Sequence, residues 1–344
     1  MNHYMKMALQ LAQMTSGQTG TNPAVGAVIV KDGKIIGMGA HLGYGEPHAE
    51  RQALATCNTD PAGSDMYVTL EPCSHHGKTP PCTEAIIAAG IKKVYYAAKD
   101  ENVKVRGHEV LSAAGVQVAH QQEAEIDRFY HPFFTHLKRK SPIITLKCAM
   151  SLDGKLALCD GTSKWITGES ARYNVHEERH VHDGILVGGT TLLRDNPRLT
   201  ARVYGGGNSP VPIILLGDGV LHDHLHIFDH DSRPIIFTTN EMNMKYSDRC
   251  DLRVGERPLE EVLEVLYEAG ISTLFVEGGG SILTSFIEQE LYDRIILYIA
   301  PKLFGESGHG LYQSQISKME AAVQLDLEKV ESLESDLKLT YRKA

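Results

Sequence analysis

Pro47-His48-Ala49-Glu50 and, further along, Glu71-Pro72-Cys73-Ser74-His75-His76-Gly77-Lys78-Thr79-Pro80-Pro81-Cys82 are the two stretches on which the reading of this chain turns. Each follows an apolar run and each opens a helical pattern. Upstream, Ala24–Val30 and Ile35–Ala40 read as strands joined through Lys31-Asp32-Gly33, because Asp-Gly between apolar runs signals a hairpin. His48–Cys57 reads as a helix and Met66–Leu70 as a strand running into Glu71-Pro72-Cys73. Thr83–Ala89 fits a helix stopped at Gly90, a natural C-cap, before a strand at Lys93–Ala98. Leu111–Val118 supplies a helix end and a strand, and Gln121–Phe134 a helix. This alternation predicts α/β layers.

His48, Cys73 and Cys82 together offer one imidazole and two thiolates. Three such ligands leave the fourth position of a tetrahedral zinc open, which marks a catalytic rather than a structural metal. Zinc lowers the pKa of a bound water to about 7, so water becomes a usable nucleophile at neutral pH. Glu50, two residues beyond His48 at a helix start, can face the same cavity without binding metal and carry the proton. His-x-Glu followed by Pro-Cys-x-x-Cys is the pattern of zinc deaminases, with the Glu as general acid and base. Here eight residues, Ser74–Pro81, separate the two cysteines instead of two. The bland alternative is a pair of buried cysteines and a helix-capping histidine. His-x-Glu alone would leave that alternative ahead; a Pro-Cys segment between a strand and a helix, in this order, weighs against it.

The chain has 344 residues, more than the roughly 250–300 that one core accommodates, so two domains are expected. The basic, proline-containing Lys138-Arg139-Lys140-Ser141-Pro142 is the boundary candidate, giving 1–141 and 142–344. The pattern then restarts, with strands expected at Ile143–Ala149, Gly184–Val187, Val211–Leu216, Pro234–Thr238, Thr273–Val276 and Arg294–Ala300. Helices fit Ser170–His182, Leu259–Ala269 and Ser281–Glu288. No Gly-x-Gly-x-x-Gly follows the first strand of this half, but Gly278-Gly279-Gly280-Ser281 follows a strand and opens a helix. Glycines there let backbone approach a phosphate at a helix N-terminus; the alternative is a flexible turn.

A net charge of −9 provides no field for a polyanion, so no nucleic-acid partner is expected. No apolar run reaches the roughly 20 residues of a membrane span. Met1–Gln18 has helical spacing without the signature of a signal peptide, so a cytoplasmic location is expected. The six cysteines are scattered, as thiols in a reducing compartment would be. His222, His224, His226 and His230 read as a solvated loop rather than a metal site.

The stretch Pro72–Cys82 reproduces Pro-Cys-x-His-x-Gly-x-Thr-Pro-Pro-Cys, and Asn22-Pro23-x-Val25-Gly26 precedes it. Ser151-Leu152-Asp153-Gly154-Lys155, Ser163-Lys164-Trp165-Ile166-Thr167, Asp195-Asn196-Pro197-x-Leu199-Thr200 and Val276-Glu277-Gly278-Gly279 follow in order. With these motifs nearly the whole chain resembles the bifunctional riboflavin-biosynthesis deaminase/reductase family. The resemblance implies a cytidine-deaminase-like three-layer domain followed by a dihydrofolate-reductase-like α/β domain. It implies zinc-dependent removal of the 2-amino group from a 2,5-diamino-6-ribosylamino-pyrimidinone 5′-phosphate, then NADPH-dependent reduction of ribosyl to ribityl. The amine-linked polyol product points to the open-chain imine, reduced at C1′.

By the same resemblance, Asn22, His76, Lys78 and Asp100 contact the deaminase substrate. Trp165, Thr191, Asp195 and the segment from Gly279 through Gly280 and Ser281 to Ser285 contact NADPH. Ser163, Arg179, Leu199, Arg202 and Glu277 contact the ribosyl phosphate. Each has a plainer reading: Asn22 as a turn residue, Lys78 as a solvated lysine, the arginines as surface salt bridges, Trp165 as core. The family's Asp-Pro-Asn-Pro is Asp100-Glu101-Asn102-Val103 here, without the prolines, which leaves that loop's shape open. Lys147 and Asp153 flank the reductase site without an identifiable acid role. The partner expected is a small phosphorylated pyrimidine, with no nucleic acid and no membrane; the oligomeric state stays open, a homo-oligomer included. The competing readings are a nucleoside or tRNA deaminase fused to an unrelated reductase, and a scaffold whose zinc is closed by His75 or His76.

Overall fold

Asp32 and Gly33 both adopt positive φ (49° and 74°), the pair of left-handed residues that a tight antiparallel hairpin needs. They join β1 (Gly26–Lys31) to β2 (Lys34–Ala40) in the computed structural model, which describes residues 1–343 except 21, 77–79, 101–104 and 164. The chain divides into two units, Met1–Arg139 and Lys140–Ala344, meeting inside the basic stretch.

In the first unit β1 also pairs antiparallel with β3 (Asp65–Leu70), and β4 (Lys93–Ala98) and β5 (Gln117–His120) extend the sheet in parallel, in the order β2-β1-β3-β4-β5. Helix α1 (His3–Met14) starts at Asn2, whose side chain accepts the Tyr4 N–H at 2.9 Å, and buries Met5, Ala8, Leu9 and Ala12 at helical spacing. It lies on the sheet face to which Gly26 points, together with α5 (Ala124–Arg139), whose Tyr130 bonds Thr69 at 2.6 Å. Helix α2 (Ala49–Ala55) lies on the opposite face, touching α3 (Cys82–Ala88), which in turn touches α4 (Gly107–Ala113). Three layers result.

Two close approaches seat the site. A Cβ on Gly39 of β2 would stand 2.5 Å from the Ala49 carbonyl oxygen, so only glycine lets α2 press its first turn onto the sheet. A Cβ on Gly107 would meet the Pro72 carbonyl oxygen at 2.0 Å, so α4 rests against the backbone just before Cys73.

The second unit is built on a nine-stranded sheet. Its strands are β6 (Ile143–Ser151), β8 (Gly184–Gly188), β9 (Val211–Gly217), β10 (Ile235–Thr238), β11 (Asp251–Val254), β12 (Thr273–Val276), β13 (Arg294–Ala300), β15 (Leu325–Leu333) and β16 (Asp336–Lys343). β7 (Lys155–Ala157) pairs separately with β14 (His309–Gly310). The order is β11-β10-β9-β8-β12-β6-β13-β16-β15, parallel up to β13 and antiparallel beyond it. The central strands are buried along their length, as parallel strands covered on both faces must be. Helices α6 (Glu169–His180), α7 (Gly189–Asp195), α8 (Leu259–Glu268) and α9 (Gly280–Glu288) link them.

Candidate active sites

His48 is the N-cap of α2, in extended conformation (φ −67°, ψ 162°), and Glu50 lies in that helix's first turn, 3 % exposed. Cys82 is the first residue of α3, entered through Pro81. Cys73 sits between them on the segment leaving β3: its sulfur accepts the Cys82 N–H at 3.3 Å, and its carbonyl accepts the Thr83 N–H at 3.2 Å. The His48 Nδ1 is 3.5 Å from the Cys73 sulfur and 3.4 Å from the Cys82 sulfur, and the three ligand atoms lie within 4.8 Å of one another. Zinc–ligand bonds of about 2.0–2.3 Å at tetrahedral angles put nitrogen and sulfur about 3.5 Å apart, so the donor set fits that metal. No other such group of histidines, cysteines and carboxylates occurs among the described residues.

The electrostatics agree. The Cys73 thiol is lowered to about 4, first by its hydrogen bond with Cys82 and then, against burial, by His48 and the Cys82 N–H. Cys82 is raised, by Cys73 and by burial, and His48 is raised by Cys73. Cys73 is thus a thiolate already, while Cys82 and His48 hold protons that a bound cation would displace. Glu50 is raised to about 7, by burial and by the neighbouring Cys73 charge. A buried carboxyl titrating near neutrality suits a group that must both take and return a proton.

These residues open onto a cavity of about 410 Å³, also lined by Asn22, His41, His75, Asp100 and the apolar Phe133 and Leu137 of α5. Asn22 and Asp100 are therefore on its wall. His76 is not: its Nε2 lies 3.7 Å from Glu84 on α3, and it is largely exposed. The neighbouring His75 faces the cavity instead, its Nδ1 buried without a hydrogen-bond partner among the described residues. Of the two adjacent histidines the cavity is thus lined by His75, on which the fixed histidine of Pro-Cys-x-His-x-Gly also falls. Lys78 and Asn102 lie outside the described residues.

His41 was not anticipated. It is 2 % exposed, and its Nδ1 faces the Pro47 carbonyl at 3.3 Å, which can only accept. Its Nε2, 3.2 Å from the Asn22 amide nitrogen, must then accept, which aims the Asn22 side chain. Burial lowers its pKa and keeps it neutral. A histidine in an otherwise ordinary Gly39-Ala40-His41-Leu42 stretch carries no sequence signal of this role.

In the second unit Glu277 stands at the carboxyl end of a parallel strand, where ligands bind in open α/β sheets. Glu277 directly follows β12, and Arg179 of α6 grips it: Nε donates to Oε1 at 2.6 Å and Nη2 to Oε2 at 3.0 Å. Lys147 of β6 donates to Oε2 at 3.5 Å. Burial opposes ionisation of Glu277, but Arg179 and Lys147 outweigh it and hold the carboxyl at about 2. Arg179 also donates from Nη1 to the Thr200 carbonyl at 3.0 Å. Three of its five N–H groups are thus used within the protein. It is a buried partner of Glu277 rather than an open anion fork.

Arg202 is exposed, with Nη1 donating to the Thr200 hydroxyl at 2.9 Å. Leu199 is buried at positive φ (53°). Gly279 caps α9 and Gly280 and Ser281 open it, so the triple glycine does lie at a helix start. Thr191 and Asp195 lie on α7, whose own glycine entry at Gly188-Gly189 was overlooked. Ser163 and Trp165 are exposed on the segment before α6; Trp165 has φ 65° and carries the Arg172 guanidinium 4.5 Å from its ring centre. Asp153 accepts from Ser151 and the Phe304 and Gly305 N–H groups, a turn-building role.

Two family models match the chain. The cytidine and deoxycytidylate deaminase zinc-binding region covers residues 1–98, and the RibD C-terminal domain covers residues 142–339. The riboflavin biosynthesis protein RibD of Aquifex aeolicus is 40 % identical over 99 % of this chain and 98 % of its own length. That of Bacillus amyloliquefaciens is 40 % identical over 98 % of this chain and 95 % of its own. The crystal structure of a diaminohydroxyphosphoribosylaminopyrimidine deaminase/5-amino-6-(5-phosphoribosylamino)uracil reductase from Thermotoga maritima superposes with a TM-score of 0.92 at 37 % identity, covering 99 % of this chain and 98 % of that one.

Proposed function

This chain belongs to the RibD family of bifunctional riboflavin-biosynthesis proteins, with a cytidine-deaminase-like domain and a dihydrofolate-reductase-like pyrimidine reductase domain, and we propose how its residues divide the two reactions. The first unit deaminates 2,5-diamino-6-ribosylamino-4(3H)-pyrimidinone 5′-phosphate, and the second reduces 5-amino-6-(5-phosphoribosylamino)uracil with NADPH. The observation that carries the reading is the meeting of His48, Cys73 and Cys82 beside the buried Glu50.

His48, Cys73 and Cys82 hold the zinc, which when bound makes water acidic enough to attack at neutral pH. Glu50 accepts the proton of the attacking water and delivers it to the departing 2-amino group, so that a C–O bond forms, the C–N bond breaks and ammonia leaves. Asn22, fixed by His41, together with His75 and Asp100, orients the pyrimidine, and Phe133 and Leu137 keep bulk water from its far side. Lys78 is assigned to the phosphate on the strength of the motif alone.

In the second unit NADPH, when bound, would supply a hydride to C1′ of the opened ribosyl group, whose imine nitrogen carries the accompanying proton. Trp165, Thr191, Asp195 and the α9 start at Gly279, Gly280 and Ser281 hold the cofactor. Glu277, kept ionised by Arg179 and Lys147, accepts hydrogen bonds from sugar hydroxyls. Arg202 takes the phosphate, with Ser163 and Leu199 completing the pocket.

The test is one preparation assayed twice on the diaminopyrimidine ribosyl phosphate, following ammonia release and NADPH oxidation separately, with cytidine and tRNA as alternative deaminase substrates. Ammonia from the diaminopyrimidine alone, followed by stoichiometric NADPH oxidation, is the expected result. Ammonia from cytidine or inosine in tRNA, with no reaction on the diaminopyrimidine, would overturn the assignment. With 4-deuterated NADPH, label found anywhere but C1′ would overturn the reductive half.

A further inference from the structure

His176 lies on α6, three residues before Arg179, and it has partners on both sides of its ring. Nδ1 stands 3.1 Å from the Thr200 carbonyl oxygen, which can only accept. Nε2 stands 2.9 Å from Nη2 of Arg202, which can only donate. Together these partners select one state of the ring: neutral, protonated on Nδ1, with Nε2 as acceptor. A second proton would set an N–H against an N–H of a permanent cation. Burial, Arg179 and Arg202 lower the His176 pKa to about 4, consistent with that state.

The same interactions define Arg202. Its Nη1 donates to the Thr200 hydroxyl at 2.9 Å and its Nη2 to His176, so that among the described residues two of its five N–H groups are spent and three stay open to a ligand. Thr200, whose carbonyl also takes the Arg179 Nη1, ties this arrangement to the Glu277 anchor. Arg179 is thereby buried with three N–H groups bound within the protein, while Arg202 is the exposed guanidinium of the cluster, held in one orientation by two side chains. Without His176, Arg202 would be a flexible arginine free to sample many rotamers, and ordering it would fall on the binding step.

We propose that His176 is a positioning residue of the reductase half: as a neutral acceptor it pre-orients Arg202 to receive the phosphate of the ribosylaminouracil substrate. The proposal rests on the phosphate role given to Arg202 above. It accounts for a conspicuous arrangement, a histidine donating to a main-chain carbonyl in order to accept from an arginine.

The test uses the full-length protein and three variants, Arg202→Ala, His176→Leu and His176→Gln, assayed for reduction of 5-amino-6-(5-phosphoribosylamino)uracil, with deamination by the other domain as the control for a sound preparation. Arg202→Ala is expected to raise KM for the uracil phosphate about a hundredfold, the loss of a charge-assisted anion contact. His176→Leu should raise it about tenfold, with kcat and KM for NADPH nearly unchanged, because only the readiness of Arg202 is lost. His176→Gln, whose amide can donate to Thr200 and accept from Arg202, should recover most of the affinity. The proposal is overturned if His176→Leu keeps the wild-type KM while Arg202→Ala loses it. It is overturned equally if His176→Leu and His176→Gln are damaged alike with kcat and both KM values moved and a lowered Tm, for that is a packing role. If Arg202→Ala leaves KM unchanged, the phosphate reading of Arg202 fails and the positioning role falls with it; a raised KM for Arg202→Ala with a silent His176→Leu assigns the failure to His176 alone.

Discussion

Glu50 and Glu277 are both withdrawn from solvent, yet their surroundings drive them in opposite directions. Glu50 sits at the start of α2 with a thiolate for a neighbour, and burial together with that charge raises it to about 7. Glu277 sits at the end of β12 between Arg179 and Lys147, and those cations hold it at about 2 despite burial. One carboxyl is therefore poised to exchange a proton, and the other is a permanent anion. Burial alone does not assign a glutamate its role; the sign of the nearest charge does. The hydrolytic reaction needs a proton carrier, whereas a hydride transfer needs a fixed acceptor to hold the sugar.

The comparison breaks most visibly at Glu50. Glu50→Gln should lower the deamination rate by about 10²–10⁴-fold while zinc content and NADPH-dependent reduction stay at the wild-type level. Ammonia release, metal analysis and NADPH oxidation measure the three quantities; normal deamination by the variant would remove Glu50 from the mechanism. Stripping the metal with a chelator should abolish deamination and leave reduction of the aminouracil substrate intact, with zinc restoring the first. If the reduction vanished too, the two sites would not be chemically separate.

Glu277→Gln should act on stability as well as rate, because it leaves Arg179 and Lys147 buried without their counter-charge. A loss of about 3–5 kcal/mol is expected for breaking a buried pair, and it should appear in the denaturant transition that abolishes reductase activity. Acid sharpens the contrast. Glu277 has its folded pKa lowered, so its stabilising contribution is complete above the ordinary carboxylate range and is lost as pH falls toward about 2. The stability difference between wild type and Glu277→Gln should therefore narrow from pH 6 to pH 3; a gap that stays constant would mean the pair is not what stabilises the fold.

The smallest effect is expected at Trp165. It is the single tryptophan of the chain, 69 % exposed beneath the Arg172 guanidinium, so its fluorescence reports on its own segment. NADPH should quench it, and Trp165→Phe should raise KM for NADPH by several-fold without touching deamination. Unaltered emission on saturation with NADPH would displace Trp165 from the cofactor site.

Much of the fold could be read from spacing. Strands with unbroken apolar runs, such as Lys93–Ala98 and Thr273–Val276, fall where the pattern placed them, since a buried strand has to be apolar. The hairpin of β15 and β16 went unread for the opposite reason. β15 is the edge strand of the large sheet, mostly exposed, and its Asp326, Glu328, Lys329 and Glu331 erase the apolar alternation. Helix α5 runs through Pro132 to Arg139, beyond the expected end at Phe134, because tertiary packing of Tyr130 and His136 outweighs the local signal. Between His75 and His76 the motif Pro-Cys-x-His-x-Gly points to His75, and the structure puts that residue, not its neighbour, on the cavity wall.

What the order of residues determined by itself was chemistry: an imidazole, two thiols and a carboxylate at spacings that strand-to-helix turns bring together, and glycines where a helix must press on a neighbour. Only the folded structure decided which charges those groups face, that Arg179 is spent on Glu277 while Arg202 stays open, and that His41 and His176 act as neutral acceptors. The reason is that identity and local conformation are properties of short segments, whereas protonation and orientation depend on partners separated along the chain and brought within hydrogen-bonding distance by the sheets.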